Sequence, residues 1–194
     1  GSISARGGSE NGNGGFVEVS GKDYLYFRGR VNTTARRGQT GTLLLDPADI
    51  TITGTNGAAT DGDDVDVSAT SFAGNVSVTV GTVTTGDATP TNITETELEG
   101  IVAGTNISVQ ASNNITFTGT FAGGLSLLQS AGTNTFNAGN TLAIAGTAIT
   151  TAGAGLTLKA GAGGVTNIGS VALAGGTLTV DTGGASTQAG GAVL

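Results

Sequence analysis

The chain of 194 residues contains no cysteine, so disulfides and thiolate metal sites are excluded. It contains no histidine, which removes the commonest general base and the commonest metal ligand. Tryptophan is absent and aromatics make up 4% of residues, so the core has to be filled by many small branched side chains. Charged residues are 11%, against about 25% in an average soluble domain. The formal net charge of −7 denies the chain as a whole the basic footprint of a nucleic-acid binder. No apolar run approaches the roughly 20 residues that span a bilayer, and the polar, glycine-rich first 15 residues do not read as a signal peptide.

What is present is glycine, at 36 residues, together with a hydrophobic share of 37%. That share separates the chain from disordered sequences, which lack core material. Val, Ile, Leu and Thr dominate the apolar and β-branched positions, and branching at Cβ suits a pleated surface. Short strand-like runs recur from Phe16–Ser20 through Tyr24–Phe27, Thr42–Leu45, Ile50–Thr53, Val76–Val80, Ile107–Ala111 and Ile115–Thr118. They continue through Leu125–Leu128, Leu142–Ala145, Leu156–Lys159, Val171–Ala174 and Leu178–Val180, separated by Gly, Asn, Thr or Ala.

Such runs suit a sandwich of hairpins or a solenoid. The later runs share chemistry and are separated by recurring Gly-Thr and Ala-Gly steps, which favours a solenoid of stacked coils. Spacings on the order of 15–20 residues suggest one coil each. The fold class expected is all-β: a parallel β-helix in one domain, residues 1–194. Residues 1–55 form first coils, 56–105 an irregular insert, and 106–194 regular coils. Inward columns are expected from Phe16, Val17 or Val19, Leu25, Leu43, Leu45, Ile50, Ile52, Ile107, Val109, Ile115, Leu125, Leu127, Leu142, Ile144, Leu156, Leu158, Leu178 and Val180. One helical signal interrupts the pattern. Thr94 and Glu97 have capping-box spacing, Leu98, Ile101 and Val102 follow at helical intervals, and Gly104 ends the turn. This predicts a short helix near 95–103. The pattern still running at Ala192, Val193 and Leu194 reads as part of a longer protein.

The phrases GGFVEVSG (Gly14–Gly21), GTLLLDPADITI (Gly41–Ile52) and TETELEGIVAGTNISVQASNNITF (Thr94–Phe117) resemble filamentous-haemagglutinin-type exoproteins, the secreted partners of two-partner secretion systems. The resemblance covers residues 4–120, and beyond it the sequence is generic glycine-rich solenoid. It implies a right-handed parallel β-helix that is secreted or displayed on the bacterial cell surface. It also implies that the parent protein engages an outer-membrane transporter and binds receptors or glycans on host or neighbouring cells. The amino-terminal secretion domain of that family is not recognisable, so this stretch is expected to lie after it.

Four groups of residues invite chemistry. Asp61, Asp63, Asp64 and Asp66 place carboxylates close enough to suggest Ca²⁺, the one cofactor worth weighing, which takes six to eight oxygens. The string matches neither the EF-hand loop nor the glycine-rich Ca²⁺ nonapeptide, and a solvated loop explains it as well. Arg28, Arg30, Arg36 and Arg37 form a basic cluster suited to an anionic glycan, or to a solvated turn beside Glu18 and Asp23. Glu95, Glu97 and Glu99 offer paired carboxylates for glycoside chemistry, but acidic residues also stabilise a helix start, and no aromatic platform lies near them in sequence. Asn113, Asn114, Asn134, Asn137 and Asn140 read as turn residues able to stack into ladders. Threonine pairs at 51/53, 116/118 and 177/179 suggest an ice-binding face, without a fixed coil period. None of the glycine pairs has a phosphate-loop ending.

The function expected is therefore structural: a presenting segment of a large adhesin, not an enzyme. A carbohydrate-active or carbohydrate-binding β-helix is the first alternative and an ice-binding solenoid the second. Exposed solenoid ends and the low charge of the second half predict some end-to-end association.

Overall fold

A computed structural model describes residues 2–20, 30–33, 35–38, 41–46, 49–55, 72–73, 75–78, 91–99, 107–128 and 133–194. Among these the chain is all-β, with parallel sheets and one short helix. The largest sheet has seven strands: β2 (Phe16–Ser20), β4 (Thr42–Asp46), β7 (Asn75–Val78), β9 (Ile107–Ala111), β12 (Thr133–Ala138), β15 (Gly155–Ala160) and β18 (Leu178–Thr182), neighbours in that order. A second sheet contains β5 (Ile50–Thr55), β8 (Thr91–Thr94), β10 (Ile115–Thr120), β13 (Thr141–Ala143) and β16 (Gly164–Thr166). The third direction is divided between two three-stranded sheets. One holds β1 (Ser2–Ser4), β3 (Arg30–Asn32) and β6 (Phe72–Ala73); the other holds β11 (Leu125–Leu127), β14 (Ile149–Thr151) and β17 (Val171–Ala172). Helix α1 (Glu95–Glu99) packs against β5, β8 and β11.

Every pairing between these strands is parallel, a pattern compatible with a β-solenoid. Ser108, Thr135, Thr157 and Thr179 are register partners on four adjacent strands, at intervals of 27, 22 and 22 residues. The interval exceeds the expected 15–20 because one circuit of the chain visits three sheets, so neighbouring runs in sequence belong to different faces. Successive strands of a sheet lie about 4.8 Å apart, which brings like side chains into contact along the stack.

Alternation within strands sorts the side chains. In the seven-stranded sheet, one inward column holds Val17, Ile107, Asn134, Leu156 and Leu178, and a second holds Val109, Phe136, Leu158 and Val180. Phe117, Phe136, Ile50, Ile52, Ile93, Ile107, Ile115 and Leu125 are among the large side chains withdrawn from solvent. Phe117 and Phe136 meet edge to face with centroids 5.6 Å apart, tying the second sheet to the first. Phe16 departs from the expected column: it is 62% exposed and Val17 takes the inward place, because a one-residue change of parity turns every side chain to the other face. Val180 is 38% exposed, since β18 is an end strand of its sheet among the described strands.

The corners are built from very small residues. Ala111, Ala138 and Ala160 end adjacent strands on the same inward position, and Ser112, Gly139 and Gly161 follow them. A Cβ at Gly161 would come within 1.9 Å of the Gly139 carbonyl oxygen, so the stacked corner leaves no room for any side chain there.

The helix expected over 95–103 is described over Glu95–Glu99, and residues 100–106 lie outside the described set. Within the stretch expected to be an irregular insert, β6, β7, β8 and α1 belong to the body of the fold. The order of strands there is unusual. In the first sheet β7 lies between β4 and β9, whereas in the second β5 lies between β8 and β10. The strands following β4 and β7 in sequence have thus exchanged places. The hexapeptides ITITGT (β5) and ITFTGT (β10) consequently lie side by side in full register, from Ile50 opposite Ile115 to Thr55 opposite Thr120.

Candidate functional site

The acidic run Asp61, Asp63, Asp64 and Asp66 lies outside the described residues, as does Arg28. Arg30 stands on β3, and Arg36 and Arg37 are exposed. Among the described residues no three His, Cys, Asp or Glu side chains come together as a metal site.

Glu95 and Glu99 of α1 are engaged in the fold; the side chain of Glu97 lies outside the described set. Glu95 is 2% exposed and holds an interaction of its own, and Leu98 beside it is fully buried. The Glu99 carboxylate accepts the backbone N–H of Ser126 at 2.7 Å. Burial pushes the Glu99 carboxyl above its ordinary value; the Ser126 N–H opposes that and the nearby Glu95 adds to it. The helix stands beside the edge strand β11, and its terminal carboxylate satisfies a backbone donor that a neighbouring strand would otherwise take.

The asparagines divide into two kinds. At one corner Asp49 accepts from the Asn113 amide at 2.9 Å, the Asn114 backbone N–H at 2.9 Å and the Asn114 amide at 3.1 Å. The Asn114 side-chain oxygen in turn accepts from the Asn140 amide at 3.1 Å and the Thr141 N–H at 3.3 Å. This is the expected ladder, with Asp49 as an additional member. Asn134 and Asn137 do not sit in turns; both are in β12. Asn137 donates to Gln110 at 3.4 Å on the outer face. Asn134 points inward, is fully buried, and neither amide atom has a hydrogen-bond partner.

The outer face of the seven-stranded sheet carries a hydroxyl column, Ser108, Thr135, Thr157 and Thr179, in continuous register. Two positions further along stand Gln110, Asn137, Lys159 and Asp181. Lys159 and Asp181, the only charged residues after Glu99, pair across adjacent strands at 3.1 Å. Of the threonine pairs, 51/53 lies in register with 116/118 on the second sheet, but Thr179 has Asp181 beside it, not a second threonine column.

Among the described residues, the corner between the second and third faces provides a concave feature with a defined lining. Register-matched residues bracket it: Ile115, Leu142 and Val165 on one side, Leu125, Ile149 and Val171 on the other. The connecting paths differ, at ten residues from Ile115 to Leu125, seven from Leu142 to Ile149 and six from Val165 to Val171. The longest corner therefore overhangs its shorter neighbour. Between them is a shallow, open groove of about 390 Å³, lined by 119–121, 123–124 and 145–148. Gly119, Gly123, Gly124, Ala145 and Gly146 all have positive φ, between 55° and 94°. A Cβ at Gly124 would also meet the Ala148 carbonyl oxygen at 2.5 Å, so glycine is required there twice over. Phe121 is partly buried in this corner and its ring lies 5.7 Å from that of Phe117. No charged side chain lines the groove. The sequence signal for it was the Phe-Ala-Gly-Gly step after the second copy of the ITxTGT hexapeptide, which reads as an ordinary turn when taken alone.

Comparison with known protein families, characterised proteins and solved structures gives no match to this chain.

Proposed function

We propose that the chain is a presenting segment of a secreted or surface-displayed bacterial adhesin, folded as a right-handed parallel β-helix. The observation that carries this reading is the stack of parallel strands with aliphatic columns inside and a hydroxyl and amide face outside. A stack of this kind spaces and displays. Glu95 and Glu99 are committed to the fold, which supports a role without catalysis. Resemblance over residues 4–120 to filamentous-haemagglutinin-type exoproteins supports the same assignment. On this reading the parent protein crosses the outer membrane through its two-partner transporter and meets receptors or glycans on other cells.

The test is an antibody raised against this chain and applied to intact cells and culture medium of the source organism. Signal on intact cells or in the medium is the expected result. Signal only after lysis would overturn the proposal. Carbohydrate binding is the second reading, favoured by the uncharged corner groove with its aromatic ring. An ice-binding face has less support, because Lys159 and Asp181 interrupt the second column of the largest sheet.

A further inference from the structure

We propose that the corner groove bounded by residues 119–124 and 145–148 binds an uncharged sugar unit, such as the end of a neutral glycan. The proposal stands whether or not the chain is displayed on a cell surface.

The groove selects by what its wall offers. Its lining contains no ionisable side chain, and the two charges nearest in sequence beyond it, Lys159 and Asp181, are paired with each other on another face. Recognition of an anionic glycan or a charged peptide needs a counter-charge, which this wall does not contain. The wall does contain one large apolar group, Phe121, held in place by contact with the core ring of Phe117 at 5.7 Å. An aromatic ring is the surface on which the C–H face of a pyranose rests, and a ring already anchored loses little freedom when it is covered. The rest of the lining is glycine, alanine and threonine. The left-handed corners at Gly123 and Gly146 replace side-chain bulk with main-chain N–H and C=O groups, and Thr120 and Thr147 add hydroxyls. A Cβ placed at Gly123 meets nothing within 4 Å, so that side of the groove is open to an entering ligand. One anchored aromatic with a few polar groups around it is the usual make-up of a small-ligand site, and 390 Å³ lies at the small end of such sites. A peptide of apolar residues fits less well, because there is a single large apolar contact and no row of pockets for alternate side chains.

The experiment is a titration of the ¹⁵N-labelled chain, followed by amide resonances, with cellotetraose, maltotetraose, chitotetraose, a heparin-derived tetrasaccharide and tetra-alanine. At least one neutral tetrasaccharide is expected to move the amides of Gly119–Gly124 and Ala145–Ala148, leaving the hydroxyl face unmoved. Phe121→Leu keeps an apolar contact with Phe117 but removes the flat ring, and is expected to weaken binding by about tenfold. Gly123→Asn is a second variant: asparagine tolerates the left-handed conformation and its side chain stands in the open mouth of the groove, so binding should be lost while the fold is kept. No movement of these amides with any neutral tetrasaccharide up to roughly 20 mM overturns the proposal. So does binding confined to the heparin fragment or to the peptide, or undiminished binding by both variants.

Discussion

Glu99 reaches across to Ser126, 27 positions later in the chain, and its carboxylate takes the backbone N–H of that residue at 2.7 Å. A helix of five residues thereby occupies the flank of β11 where a strand would otherwise stand, and a side-chain oxygen replaces a strand carbonyl. Replacing Glu99 by Ala is expected to lower unfolding stability by about 1 kcal/mol, and Glu99→Gln, which keeps an acceptor, by less. Amide exchange at Ser126 locates the effect: it should accelerate in the alanine variant and stay near native in the glutamine variant.

The same carboxyl carries a pH signature. Its value in the folded chain is raised above the ordinary 4.5, so the native state holds this proton more tightly than the unfolded state does. The contribution of this group to stability is fully present below 4.5 and declines as pH rises through the folded value. Urea melts from about pH 4 to 7 should therefore show a shallower decline, or a steeper rise, for Glu99→Gln than for the native chain. Identical slopes would refute the assignment.

Asn134 stands in the inward column next to Leu156 and Leu178 with both amide atoms unpartnered. An unsatisfied buried amide costs about 1–3 kcal/mol, so Asn134→Leu is expected to raise stability by a similar amount. An unchanged or lower denaturant midpoint would show that the amide has a partner, such as an internal water.

Gly161→Ala forces a Cβ to within 1.9 Å of the Gly139 carbonyl oxygen, and backbone at a stacked corner has little room to move. A loss of roughly 1–3 kcal/mol or more is expected. Gly190→Ala is the control: nothing lies within 4 Å of the added carbon, and its melting temperature should match the native chain.

The end strand β18 exposes 38% of Val180. Sedimentation of the native chain at high concentration is expected to show end-to-end association, and Val180→Lys should reduce it, since a charge on an edge strand discourages pairing. A native chain that stays monomeric would count against the end-to-end contact.

Strand positions were legible in the sequence because alternation and glycine punctuation are local. Of twelve runs named from periodicity alone, eleven coincide with or overlap described strands, from Phe16–Ser20 to Leu178–Thr182, and Tyr24–Phe27, with Leu25, lies outside the described residues. The start of α1 was equally legible, since Thr94 and Glu97 write a helix start in four residues. What alternation does not reveal is which face a run belongs to. The distance between two runs mixes face with rung, and the circuit was therefore underestimated. Phe16 was misassigned because its bulk was read as core, although it shares the parity of Glu18 and not that of Val17. The corner groove was hidden because it arises from a difference in length between neighbouring corners, and register must be known before those lengths can be compared.

The exchange of β5 and β8 has a mechanical consequence. In an ordinary stack each rung touches only its neighbours, so rungs can be stripped from an end one after another. Here β5 pairs with a strand 41 positions ahead and with another 65 positions ahead, so three passes of the chain are clasped together. A filament held under tension by its two ends would unravel freely down to that clasp and then stop, until β8, β5 and β10 came apart together.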